Sequence, residues 1–167
     1  MTDAPTLAPK LRLFCDGACL RNPGGPGGWG AVILAPNTPP RDLSGYLPTT
    51  TSNRAEMVAA IEGLSALPPA SRVTVLSDSK ILVRGMGAGR AKRQKRGRDG
   101  KLPNADLWAR LDALAASHVA AWVWVRGHSG NPHNERADRL AGDAARRGPP
   151  RPRLTSADAA GERVRSI

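Results

Sequence analysis

Asp16, Glu56, Asp78 and Asp138 are the side chains whose positions could do chemistry. Asp138 lies in RGHSGNPHNERADRLAGDAARRG (126 to 148), where a surface carboxylate would ordinarily meet Lys or Arg three or four residues away on its helix face. Its neighbours at that spacing are Asn134, Glu135, Ala141 and Gly142, so no local cation compensates it and Glu135 repels it. The other three have innocent explanations: Asp16 before Gly17 could make a turn, Asp78 could cap the helix SKILVRG, and Glu56 stands three residues after Asn53, the spacing of a capping box. If the four converge, two such charges about 4 Å apart repel by roughly 4 kcal/mol at an effective dielectric near 20. A divalent cation removes that conflict. Oxygen donors without a His or Cys set favour Mg²⁺ or Mn²⁺ over zinc. A pair of such ions on a nucleic-acid-binding chain can activate water and stabilise the leaving oxygen in phosphodiester hydrolysis.

Convergence requires particular elements. LRLFCDG (11 to 17) alternates like a strand buried on at least one face and finishes at Asp16; WGAVILA (29 to 35) and the weaker RDLSGYLP (41 to 48) follow across short turns, as in an antiparallel meander. TSNRAEMVAAIEGLSALP (51 to 68) switches to helical period, with Met57, Ala60, Ile61 and Leu64 on one face and Pro68 as the stop. RVTVLSD (72 to 78) is nearly continuously apolar, as in a central parallel strand covered on both faces, and it too ends in Asp. SKILVRG and PNADLWARLDALAASH (103 to 118) read as helices and VAAWVWV (119 to 125) as a strand. Asn131-Pro132 starts a last helix that ends near Gly148, with Ala137, Leu140, Ala141, Ala144 and Ala145 as its apolar stripe. The predicted order is βββ-α-β-α-α-β-α, an α/β fold in which ligands favour the carboxyl ends of the parallel strands.

Composition narrows the partner. Lys and Arg number 25 against 14 Asp and Glu in 167 residues, a net charge of +11, which points to a polyanion, nucleic acid ahead of an acidic membrane surface. Residues 84 to 101, RGMGAGRAKRQKRGRDGK, hold eight Lys or Arg among five Gly and are expected to form an exposed loop or protrusion that cannot build a core by itself. No apolar run is long enough to span a bilayer, and MTDAPTLAPK lacks the pattern of a secretory signal. Cys15 and Cys19 have no second pair, which argues against a zinc site or a disulfide framework and for the cytoplasm.

The blocks DGACLRNPGGPGGWGAVI, TTSNRAEMVAAIEGL, SDSK, NADLWARLD and WVWVRGHSGNPHNERADRLA, in this order, resemble the type 1 ribonuclease H family over about residues 10 to 147. The resemblance implies a five-stranded mixed sheet, three antiparallel strands then two parallel ones, flanked by helices. It divides the chain into an N-terminal extension (1 to 9), the catalytic domain (10 to 147) with residues 84 to 101 as its handle-like element, and a flexible tail (148 to 167). The implied activity is endonucleolytic hydrolysis of the RNA strand of RNA–DNA hybrids, leaving 5′-phosphate and 3′-hydroxyl ends, with two Mg²⁺ ions, or Mn²⁺, per site.

Asp16, Glu56, Asp78 and Asp138 match the family's metal-binding carboxylates. His128 matches a catalytic-loop histidine that assists proton transfer and product departure, a role that suits imidazole. Glu135 matches an acid that helps attract or release metal. Asn22 and Asn53 match hybrid contacts, Thr51 part of a pocket for a DNA phosphate, and Cys19 and Ser52 neighbouring binding positions; Arg54 reads as structural. Lys80 stands where close bacterial relatives usually carry Gln, and Ser52 where they often carry Asn. Lys92, Arg93, Lys95 and Arg96 are the candidate hybrid-binding charges of the handle-like stretch, which lacks the family's handle tryptophans. Trp108, Trp122 and Trp124 read as core rather than base-stacking residues. The expected working form is a monomer with no obligate protein partner. The competing reading is a catalytically silent module that binds hybrids.

Overall fold

The computed structural model describes residues 10–150, so the expectations for the N-terminal extension and for most of the tail lie outside the described residues. Five strands form one sheet in the order β3-β2-β1-β4-β5. β1 (Lys10–Cys19), β2 (Gly27–Leu34) and β3 (Arg41–Leu47) pair antiparallel, whereas β4 (Arg72–Ser77) and β5 (Val119–Trp124) join β1 in parallel. The expected mixed sheet is therefore present.

Alternation along β1 supplies two packed faces rather than one. Leu11, Leu13 and Cys15 enter the main core with Met57, Ile61 and Leu64 of α1 (Ser52–Ser65). Phe14, on the opposite face with Asp16, packs with Val32 and Ala137 under α5 (Pro132–Arg147). Asp16 shares this face with the helix that carries Asp138.

The alanine stripe of α5 is buried as the period predicts, except Leu140, which is half-exposed. Its close seat comes from Gly28 and Gly30 of β2: a Cβ at either would overlap α5 backbone at Ala141 or Ala137. Two backbones thus meet where side chains would hold them apart.

Three local expectations change. β1 does not stop at Asp16 but runs on to Cys19, pairing with Gly27 of β2, because the antiparallel ladder outlasts the parallel one, which ends at Phe14↔Leu76. β4 alternates buried and half-buried residues, so its second face is only partly covered. The basic stretch is not simply a loop: after α2 (Lys80–Met86) it forms a helix, α3 (Arg90–Arg98), which leads to α4 (Ala105–Ala116). Arg, Lys, Gln and Ala are good helix formers, and α3 takes its burial from a neighbour's core through Arg93.

Candidate active site

The helices that carry Glu56 and Asp138, and the helix that follows Asp78, are each capped by a different, neutral residue. Thr51 caps α1, its hydroxyl accepting from Arg54 N at 3.2 Å. Ser79 caps α2 by accepting from Leu82 N at 3.3 Å. Asn131 caps α5, accepting from His133 N and Asn134 N, both at 3.1 Å. Glu56 and Asp78 are thereby released from the capping roles the sequence also allowed. Asp16 accepts only a local bond, from Gly17 N at 2.8 Å.

The fold brings Asp16, Glu56 and Asp78 together: one carboxylate oxygen from each lies within 4.8 Å of the others. Asp16 projects from the point where β1 has left β4 but still pairs with β2, Asp78 follows the carboxyl end of β4, and Glu56 comes from the second turn of α1. Gly17 makes the approach of α1 possible, since a Cβ there would overlap the backbone of Ala55 and Glu56. Asp138 stands outside the 4.8 Å set, half-buried, yet its charge acts on both Asp16 and Asp78.

Among the described residues no Lys or Arg forms an ion pair with any of the four acids. Burial, then repulsion from Asp78, pushes the Asp16 carboxyl up to about 8, against the opposing Gly17 N–H bond. Burial, followed by Asp78, also raises Glu56, while the Ser79 hydroxyl beside it acts the other way. Asp78 is raised by burial and by Asp138, with His128 favouring its charged form. An all-oxygen set that resists ionisation until positive charge arrives fits a hard divalent cation.

His128 sits exposed in the loop between β5 and α5 with φ 51°, a left-handed conformation uncommon for a side-chain-bearing residue. Gly127 before it lies so close to Asp78 that a Cβ would crowd the Asp78 carboxylate. Glu135 braces the same loop, its Oε1 accepting from Gly130 N at 3.1 Å.

The candidate substrate residues divide by environment. Asn22 accepts from Ser52 N at 3.1 Å, tying the β1–β2 turn to the start of α1 and leaving the Asn22 amide group free to donate. Thr51 likewise retains its hydroxyl proton, and Asn53 is exposed on the first turn. Cys19 points its thiol at main-chain carbonyls of Arg21, Gly25 and Thr50, 3.3 to 3.8 Å away, so it closes the turn. Lys80 lies 5.0 Å from the centre of the Trp124 ring, within range of a cation–π contact. Lys92, Lys95 and Arg96 are exposed on α3, whereas Arg93 is buried with a guanidinium committed to protein partners. Arg93 therefore does not face solvent as a basic loop residue would.

Arg54 is structural as read, forming a forked pair with Asp106 at 2.7 and 3.0 Å and a bond to Asn104 at 3.2 Å; this pair holds the Asp106 carboxyl down at about 2. Trp108 is buried and Trp122 packs against the core. Trp124 departs from expectation: at the end of edge strand β5 it is 43% exposed, and its Nε1 donates to the Asp78 carbonyl at 3.0 Å. Sequence reading missed Trp124, Ser79, Gly17 and Gly127 as site residues. Period alone cannot identify an edge strand, and a glycine's close approach is visible only once its neighbour is placed.

The RNase H family sequence model matches residues 8–146. A Ribonuclease H of Thiobacillus denitrificans is 47% identical over 135 residues, covering 78% of this chain and 90% of that protein. A Ribonuclease HI of Caulobacter vibrioides is 40% identical over 149 residues, covering 87% and 99%. Among solved structures, LC9-RNase H1, described as a type 1 RNase H with the type 2 active-site motif, superposes with a TM-score of 0.74 at 28% identity, covering 95% of this chain and 86% of that one. LC11-RNase H1, solved in complex with RNA/DNA hybrid, shares the fold at 24% identity with a TM-score of 0.61, covering 82% and 97%. With the family model spanning nearly all the described residues and relatives 40 to 47% identical over most of the chain, this chain belongs to the RNase H family.

Proposed function

We propose that the family's activity, metal-dependent endonucleolytic cleavage of the RNA strand of RNA–DNA hybrids, is carried in this chain by Asp16, Glu56, Asp78 and Asp138, which would hold two Mg²⁺ ions and leave 5′-phosphate and 3′-hydroxyl ends. The observation that carries the reading is the set of three carboxylate oxygens within 4.8 Å of one another. Bound there, divalent ions supply water activation and charge stabilisation at the leaving oxygen. Asp138 adds negative charge at the rim and would complete the second ion's ligands. His128, on an exposed loop beside Asp78, is placed to move a proton at the departing product. Glu135, through its bond to Gly130, keeps that loop in reach and can help release metal.

Hybrid binding falls to residues around the mouth of the site. The Thr51 hydroxyl and the Asn22 amide suit a DNA phosphate and the hybrid backbone, Asn53 and Ser52 suit the minor groove, and Lys80 adds a charge held against Trp124. Reading the 2′-hydroxyl across a wide, shallow groove requires polar groups of this kind. Among the described residues no helix is long and apolar enough to cross a membrane. We take the working form to be a cytoplasmic monomer, in keeping with the free thiols of Cys15 and Cys19.

The test is cleavage of one end-labelled RNA strand presented in a hybrid, in an RNA duplex and single-stranded, with Mg²⁺ or EDTA. Wild type is expected to cut only the hybrid and only with the ion. Asp78→Asn should lose at least about 100-fold in kcat, more than loss of a supporting group alone would explain, while keeping its fold and its affinity for hybrid. Turnover equal to wild type in that variant would remove the four-carboxylate assignment. Hybrid binding by wild type without cutting would favour the silent module.

A further inference from the structure

We infer that Arg93 is a positioning residue: from inside the protein it docks the basic helix α3 against α4, so that hybrid affinity depends on a buried side chain whose donors are all committed to protein partners. The inference rests on reading α3 as a hybrid-binding helix.

The sequence of α3, RAKRQKRGR, offers no apolar side chain larger than Ala91 with which to pack, and its buried residue is Arg93, whose side chain is 6% exposed. The guanidinium uses every edge. Nη1 and Nη2 donate to Asp112 Oδ2 and Oδ1 at 2.9 and 2.7 Å, and Nε donates to the Gly85 carbonyl at 2.7 Å. Its Cζ lies over the Trp108 ring, 4.5 Å from the ring centre. Asp112 also collects Arg90 Nε at 3.3 Å and Gln94 Nε2 at 3.4 Å. Residues 90, 93 and 94 form one face of a helix, so a single carboxylate on α4 gathers that face and turns Lys92, Lys95 and Arg96 outward.

Lys92 and Arg96, with Arg84, Asn53 and Asn104, line a cleft of about 490 Å³, whose wall also includes the buried Arg93. The cleft runs from the basic helix to the start of α1, where the hybrid contacts are placed. Docking α3 therefore sets the distance between its charges and Asn53. Lys cannot replace Arg93 here, because a point charge cannot fork onto the Asp112 carboxylate while also bonding the Gly85 carbonyl.

Asp112→Asn separates positioning from charge, since it keeps every cation and makes the protein one unit more positive. If α3 acts merely as loose charge, this variant binds hybrid as well as or better than wild type. If Arg93 docks it, KM for the hybrid rises about fivefold or more at about 50 mM salt as phosphate contacts are lost, kcat stays within about twofold, and trypsin cuts between residues 90 and 98 about tenfold faster. Arg93→Lys, which preserves charge and is the second variant should Asp112→Asn fold poorly, should show the same KM rise and the same tryptic sensitivity. Unchanged KM in both variants overturns the proposal, as does unchanged tryptic protection. Lys92→Ala, Lys95→Ala and Arg96→Ala combined test the underlying reading: they should raise KM and flatten its salt dependence. An unchanged KM in that triple variant sinks the hybrid-binding role of α3, while the trypsin comparison still decides whether Arg93 docks the helix.

Discussion

Asp16→Asn is expected to make the metal-free protein more stable and catalytically dead at once. Asp16 is 6% exposed, and burial together with Asp78 raises its carboxyl from an ordinary 3.8 to about 8. A folded-state pKa above the unfolded one means that the native state binds the proton more tightly; the resulting stability is fully present below about pH 4 and is lost as pH rises towards about 8. Near neutrality the metal-free fold therefore carries a destabilising, partly ionised acid that Asn does not reproduce. A gain of about 2 kcal/mol at pH 7 is expected, shrinking towards zero at pH 4, with the shared repulsion among the acids keeping it below what Asp16 alone would give. Urea denaturation in EDTA at the two pH values measures it. Adding Mg²⁺ should stabilise wild type, because a ligand that binds only the folded state shifts unfolding by mass action, and should stabilise the variant far less. A variant less stable than wild type at pH 7 in EDTA would show that Asp16 is compensated by something other than a cation.

Gly17→Ala should damage the site without altering any reacting group. A methyl at this position has no free direction, because it would enter the main chain between Ala55 and Glu56, and backbone cannot rotate away as a long side chain can. Either α1 slides outward, carrying Glu56 from Asp16, or β1 bends off β2. Overpacking of this kind costs about 3 kcal/mol, and a misplacement of about 1 Å at a reacting centre can cost 100-fold in rate. The expected result is a lowered urea midpoint with an unchanged slope and kcat down at least about 100-fold. Near-normal turnover would mean that Glu56 can be moved without penalty, and the assignment of Glu56 to the cluster would fail.

What could be read before folding follows from how far each signal reaches along the chain. The α5 stripe and its Asn131 cap are local periodicities, and they reappear as a buried alanine row and a capped helix. The convergence of the acids was legible because Asp16 and Asp78 follow strand patterns in a chain whose element order allows few topologies. Three errors share one cause, namely that the deciding partner is distant in sequence. Arg93 looked like one exposed cation among eight, since nothing near it announces Asp112 or Trp108, nineteen and fifteen positions away. Trp124 alternates with Trp122 and so seemed equally interior, until the sheet order put β5 at an edge. The end of β1 was placed at Asp16 because the turn chemistry of Asp-Gly is strong; the ladder to β2 overrode it.

The neutral caps have an evolutionary consequence. Thr51, Ser79 and Asn131 start the helices, and Glu56, Asp78 and Asp138 are left with no part in starting them. Selection can therefore act on the two sets separately. A duplicated copy of this gene could lose Asp78 by one substitution and keep the helix starts, the turn tie between Asn22 and Ser52, and the basic helix. If the proposed roles of Asp78 and of the basic helix hold, such a copy would bind hybrids without cutting them. On the proposed assignment, the distance between destroying a hybrid and merely marking it is one carboxylate.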